Sequence, residues 1–421
     1  MHALSLLFLL LASSVLGTTA SRLPTIRAST SSASFSVDVA HNAQHTPDGP
    51  AAYARALAKW GSGVPTSSAA SASFADDKNS IVGVGDVPAS PQLHDKEYLC
   101  SVQIGNPAQT VKIDLDTGSA DFWVATPQTP TVGLRPTYDP RVSTSATVAN
   151  GTFRILYGDG SFASGVTYSD DVSIGGLTVP NVLVETVQEW STGFTSDDAA
   201  LSGILGLAYK LSSQVSPAQP AALTQLAAQL ASPLFTADLR HQADGAFTFG
   251  RIDDARHTGA LAWTPVQPEG FPALSIAPGH WAINFTGYTV GGNGTWWLFT
   301  WPAIVDTGTS LLLLQADVAA AYYAAVPGAQ NSPYLGGWMF PCDAALPAFQ
   351  LGFASNFVAT VPAAYLNYAD LADNGFPGMC YGGIQSSQEA FAILGDVFLK
   401  SVFAVFDVGN GRVGFANKNL G

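Results

Sequence analysis

Basic side chains are scarce in this chain: 17 Lys and Arg stand against 31 Asp and Glu, a formal net charge of −14 over 421 residues. A polyanion needs a cationic face, so nucleic-acid partners lose their usual support. Three cysteines cannot staple a disulfide-dense scaffold. No CxxC, no HExxH and no glycine-rich phosphate loop ending in Lys-Ser/Thr occurs, so zinc and nucleotide chemistry find no motif, and neither metal nor cofactor is expected. Long apolar stretches are missing too. The run Leu4–Leu11 is far short of the roughly 20 residues that cross a bilayer, and no hydrophobic tail ends the chain. What is abundant is apolar content, 47% hydrophobic, enough for a sizeable core.

The Leu4–Leu11 run is followed by small residues at Val15, Gly17 and Ala20, the pattern of a secretory signal over residues 1–20. An Ala, Ser and Thr-rich stretch comes next, with one helix-like patch, Ala51–Trp60. Residues 1–75 hold four basic side chains (Arg22, Arg27, Arg55, Lys59) against two acidic ones (Asp38, Asp48), so a positive leader precedes an acidic body. Two readings fit residues 21–85: a disordered linker, or a removable prosegment held on the body by charge. The prosegment is the reading adopted here.

From Tyr98 onward, short β-rich runs alternate with Gly, Pro, Asn and Asp: Val111–Leu115, Phe122–Val124, Val172–Ile174, Ile304–Val305 and Phe403–Phe406. Pro220–Leu230 and Asp317–Ala325 are the helix candidates. The body therefore reads as all-β.

Its informative feature is an internal echo. Lys112-Ile-Asp-Leu-Asp-Thr-Gly-Ser119 is matched by Ala303-Ile-Val-Asp-Thr-Gly-Thr309; Ile204-Leu-Gly begins 88 residues after Asp116, and Ile393-Leu-Gly begins 87 after Asp306. Two lobes of one plan follow, each offering one carboxylate. An Asp on the turn after an apolar strand is held on rigid backbone, Thr can fix the turn by hydrogen bonds, and Gly lets backbone approach the carboxylate. Two such loops meeting across an interface would bring together carboxyls that cannot both ionise. One then acts as base and the other as acid, activating water against a carbonyl with no covalent intermediate. Peptide-bond hydrolysis is the natural product.

These residues resemble the pepsin-like aspartic proteases, above all the secreted enzymes of fungi, over essentially the whole chain from Tyr98. The resemblance implies a bilobal pepsin-like fold, two pseudo-symmetric β lobes (86–262 with a flap, 263–421) around a central cleft with catalytic Asp116 and Asp306 at its floor. It implies that Ser119 and Thr309 hydrogen-bond the outer carboxylate oxygens, that Thr117 and Thr307 grip each other, and that Gly118 and Gly308 face the carboxylates. Tyr157-Gly158-Asp159, with Phe162, looks like the hairpin flap, Tyr157 bonding Trp123; Trp123, Ile204, Phe162 and Asp114 join the substrate-binding set. Asp159 reads either as a solvated turn residue or as the group that admits Lys, besides large apolar side chains, before the cleaved bond. Lys59-Trp60 resembles the Lys-aromatic pair that blocks the cleft in family zymogens.

Three cysteines allow three pairings; the resemblance implies a Cys342–Cys380 disulfide, with Cys100 buried and free. Sequons stand at Asn150, Asn284 and Asn293. Ser202 replaces the Asp that commonly precedes the first threading Gly, so a local hydrogen-bond change is expected. The whole reads as a secreted acid endopeptidase with a vacuolar destination as the variant, a monomer made as a zymogen, its partners being polypeptide substrates and its own propeptide. A pepsin-fold binding protein without activity is the rival reading; such relatives usually lose an Asp, the flap Tyr or a Gly, all present here.

Overall fold

The computed structural model describes residues 48–60, 85–91, 98–156, 162–191, 200–210, 213–267, 270–271, 278–292 and 294–420, with 85–91 and Ser355 as backbone only. All of them lie in one compact unit. The expected signal, residues 61–84 and Tyr157, Gly158, Asp159 and Asn293 fall outside this set.

Each apolar run of the sequence becomes a strand, because β-branched and aromatic residues bounded by turn formers suit a pleated, buried surface. Val111–Leu115 lies in Gln109–Asp116, Phe122–Val124 in Phe122–Ala125, and Ile304–Val305 in Trp297–Val305. The helix candidates are shorter than their Ala-rich runs: Ala222–Ala227 and Ala316–Tyr323. The patch before the body is a helix, Gly49–Trp60, with Asp48 accepting from the Ala51 N–H at 3.0 Å as its cap.

The strands form sheets of fourteen, seven and four. The duplication read in the sequence is present as topology. In the first half, Gly203–Gly206 runs parallel to Gln109–Asp116 on one side and antiparallel to Phe122–Ala125 on the other. In the second, Ala392–Leu394 runs parallel to Trp297–Val305 and antiparallel to Leu312–Leu314. The outer neighbour is parallel in both cases: Leu177–Trp190 beside Phe122–Ala125, and Ile384–Ser386 beside Leu312–Leu314.

This pairing explains the Ile-Leu-Gly motifs. A Cβ on Gly206 would sit 2.5 Å from the Ala120 nitrogen, and one on Gly395 would sit 2.1 Å from the Thr309 carbonyl oxygen. Only glycine lets the threading strand lie this close to the loop that carries the carboxylate. The halves meet over buried aromatics: Trp281 donates its indole N–H to the Leu207 carbonyl at 2.8 Å and packs on Tyr209, Phe235 and Phe406. The fold is thus all-β and bilobal, and the fourteen-stranded sheet draws strands from both halves of the chain.

Cys342 and Cys380, 38 positions apart, are bonded, and Cys100 is buried and free. The bridge ties Gly337–Pro341 to Met379–Gly382, which pair in one sheet.

Candidate active site

Asp116 is the last residue of its strand and Asp306 follows the last residue of its own, so rigid sheet aims both. Their loops lock by a reciprocal exchange. The Thr117 N–H donates to Thr307 Oγ1 at 3.0 Å and the Thr307 N–H to Thr117 Oγ1 at 3.0 Å. Thr117 Oγ1 donates to the Val305 carbonyl at 2.9 Å, and Thr307 Oγ1 donates to that of Leu115. Both threonines are buried, so four otherwise unpaired polar groups satisfy one another across the join.

Each carboxylate is cradled by its own turn. Asp116 accepts from the Gly118 N–H at 2.7 Å and from Ser119 Oγ at 2.7 Å. Asp306 accepts from the Gly308 N–H at 3.0 Å and from Thr309 Oγ1. The glycines press on the opposite carboxylate: a Cβ on Gly118 would lie 2.4 Å from Asp306 Oδ1, and one on Gly308 2.3 Å from Asp116 Oδ1. The two acidic groups, 190 residues apart in sequence, therefore share one small space.

A cation from the leading helix fills that space. Lys59 Nζ donates to Asp116 Oδ1 at 2.8 Å and lies 3.1 and 3.0 Å from the two oxygens of Asp306. Burial alone would depress the Lys59 pKa; the two carboxylates outweigh it and raise it. For Asp116, burial pushes the pKa up, but the Lys59 charge and the donated hydrogen bonds prevail and hold it below its ordinary value. For Asp306, burial wins over Lys59, repulsion from Asp116 adds, and the pKa rises. Equivalent sequence motifs thus carry opposite shifts. Trp60 packs beside it: its indole N–H reaches Asp306 Oδ2 at 3.2 Å and Thr309 Oγ1 at 3.3 Å.

The helix that delivers this pair buries Gly49, Ala52, Tyr53 and Ala56, one face of it. Tyr53 donates to the Ser386 carbonyl at 2.5 Å, and a Cβ on Gly49 would overlap the Tyr381 ring, 2.5 Å from its Cγ.

The remaining sequence candidates are placed as follows. Trp123 and Ile204 are partners in register, and Trp123, only 1% exposed, packs with Phe153, Ile155 and Val187. Phe162 opens the strand paired with Thr147–Leu156, opposite Leu156, and its ring lies under the Arg154 guanidinium at 4.7 Å. Asp114 is buried mid-sheet between Leu99 and Ile204. Asn150 is exposed on a bulge with φ 53, and Asn284 is half-buried in the strand Ala282–Val290. Ser202 accepts from the Lys112 N–H at 3.0 Å.

Sequence reading missed two features. His280 and Phe391 contact the Trp60 ring, 5.2 and 6.2 Å between centroids. Asp121 and Glu185 form a buried, hydrogen-bonded carboxyl pair: burial lifts Asp121 to about 6, while burial and Asp121 lift Glu185 well above the carboxylate range. Neither pairing leaves a periodic or motif signal.

Comparison with known proteins fits this geometry. The model of the eukaryotic aspartyl protease family matches residues 97–418. The chain is similar to penicillopepsin-1 of Talaromyces stipitatus, 40% identical over 368 residues, covering 86% of this chain and 87% of that protein. It is similar to endothiapepsin of Cryphonectria parasitica, 42% identical over 330 residues, 77% and 76% of the two. Aspergillopepsin-1 of Aspergillus fumigatus is 40% identical over 370 residues, 87% of each. An aspartic proteinase from Irpex lacteus shares the fold, with a TM-score of 0.65 at 24% identity, over 80% of this chain and 98% of that one.

Proposed function

Since the chain belongs to the eukaryotic aspartyl protease family and is an aspartic-type endopeptidase, we propose that Asp116 and Asp306 are its catalytic pair and that Lys59 and Trp60 keep it shut until acid releases them. The single observation that carries the reading is the Lys59 ammonium within 3.1 Å of oxygens of both carboxylates.

With Lys59 in place, the like charges of Asp116 and Asp306 are compensated and no water can sit between them. With Lys59 gone, two buried carboxyls this close share one proton, because a second charge there has no partner. The ionised member takes a proton from the bound water while the protonated member donates to the substrate carbonyl oxygen. A C–O bond forms, giving a tetrahedral diol. The carboxyl that took the water proton then gives it to the amide nitrogen while the other carboxylate takes a proton from a diol hydroxyl; the C–N bond breaks, the carboxylic acid C=O re-forms, the amine leaves, and the pair again holds one proton.

The acid trigger follows from signs. The Asp116 pKa is held low by Lys59, so the ion pair's contribution is full above the ordinary Asp value and is lost as pH falls through the lowered one. Asp306, raised mainly by burial, acts in the opposite sense, so the proposed acid trigger draws also on the carboxylates of the acidic body, whose protonation weakens their hold on the basic leader. The proposed product is an exported, monomeric acid endopeptidase whose leader, through residue 85, is removed. It prefers large apolar residues before the cleaved bond, and accepts Lys there through Asp159. Export fits the apolar Leu4–Leu11 run and the acidic composition.

The test is to hold the purified precursor at pH 7 and at pH 3.5 and sequence the N-terminus over time. The wild-type chain should lose its leader only at pH 3.5, within residues 74–90. A Lys59→Met precursor should bind a statine-containing peptide at pH 7, where the wild type does not. Equal binding by both at pH 7 contradicts the plug; shedding of the leader in cis by an Asp116→Asn precursor at pH 3.5 contradicts self-cleavage.

A further inference from the structure

Trp60 marks a pocket on the Asp306 side of the pair. Its indole is pinned by Asp306 and Thr309, stands edge-on to the His280 ring with an interplanar angle of 67°, and meets Phe391 edge-on at 86°. Phe391 is buried and apolar, a natural floor for a large side chain. His280 is of a different kind. Its Nδ1 is buried and has no hydrogen-bond partner among the described residues, although an aromatic neighbour would be served as well by another aromatic ring. An imidazole nitrogen left unpaired against the segment that blocks the cleft is a group waiting for a polar partner.

The charged groups that face His280 are Lys59 from the helix and Asp116 from the first lobe, with Asp306 beside Trp60. In the closed precursor, burial and the Lys59 cation hold its pKa down at about 4. Departure of residues 59–60 removes the cation and admits water, while Asp116 goes on favouring the imidazolium. The ring then returns toward its ordinary value of about 6.5 and is charged where the enzyme works.

We propose that His280, over the Phe391 floor, is a specificity-determining residue of the substrate subsite that Trp60 fills in the precursor, selecting glutamate over glutamine at that position. The inference rests on the reading of Lys59-Trp60 as a removable plug. An ion pair between a substrate glutamate and His280 requires Glu ionised and His protonated, so it exists between about pH 4.3 and 6.5 and vanishes on both sides. A residue that only shaped the pocket would give no such window.

The mature enzyme is therefore assayed on a peptide pool carrying Glu, Gln or Phe at each position around the cleaved bond, at pH 3.0, 5.2 and 7.0. At one position the Glu:Gln ratio of kcat/KM should rise roughly fivefold from pH 3.0 to 5.2 and fall again by 7.0. In His280→Phe the ratio should be flat, and His280→Gln, which keeps a polar side chain without the charge, should be flat as well. A flat profile in a processed, active wild type, or the same rise in both variants, overturns the subsite alone. A leader that stays uncut at every pH overturns the plug, and the subsite with it.

Discussion

The shortest distances in the molecule decide most about its residues. A methyl group at position 308 would enter the van der Waals shell of Asp116, 2.3 Å from Oδ1. Gly308→Ala must displace that carboxylate, and a displacement of about 1 Å costs on the order of 100-fold in rate. The expected outcome is a fall of that size in kcat/KM on a denatured protein with little change in the melting temperature; near-normal activity would mean that the carboxylate is not held against Gly308. Asp116 and Asp306 were legible in the sequence because each sits in an Asp-Thr-Gly turn after an apolar run, and Thr117 and Thr307 with them. His280 was not, since a lone His before Trp281 looks like any loop residue until Trp60 is packed on it.

Among the elements, the strand pairs beside the first active loop carry a pH dependence of their own. Asp121 follows that loop, Glu185 lies in Leu177–Trp190 opposite Trp123, and the Gln214 N–H donates to Asp121 at 2.5 Å. Asp116 is the further charge that faces Asp121, and it too favours the protonated form. Both carboxyls bind protons more tightly folded than unfolded. Their contribution is complete below the ordinary carboxylate range and is lost as pH rises through the raised values, about 6 for Asp121 and well above the ordinary carboxylate range for Glu185. Scanning calorimetry from pH 4 to 7 should show the melting temperature falling across that interval, and Glu185→Gln should flatten the slope. A melting temperature constant over the interval in the wild type would show that the pair is not buried as described. The strands themselves were legible as apolar runs between turn formers. Their partners were not, because an alternation fixes which face is buried and leaves open which distant strand covers it.

For the whole molecule, the duplicated plan was legible from two motifs at nearly equal offsets, and so was the Cys342–Cys380 bridge, through the resemblance. The sharing of one large sheet by both halves was not, nor was the buried Asp238–Lys418 pair, to which the half-exposed Arg240 and Arg256 also turn, because Lys418 reaches Asp238 from the far end of the chain. Lys418 shows the cost of that burial: desolvation prevails over Asp238 and brings its pKa down to about 8. The disulfide closes a loop of 38 positions, for which chain entropy gives about 3–4 kcal/mol. A Cys342→Ser, Cys380→Ser double variant should melt several degrees lower and keep its kcat/KM; unchanged melting would show that the loop is held without the bridge.

One unit made of two halves is the central claim, and kinetics test it directly. Asp116→Asn, Asp306→Asn and the double variant, each matured through an engineered cut within residues 74–90, are compared with the wild type on a denatured protein at pH 4. Groups that act as one unit are not additive. The account predicts that either single change lowers kcat by at least about 1000-fold and that the double change lowers it no further. A single variant that keeps a tenth of the activity, or losses that multiply in the double, would contradict it.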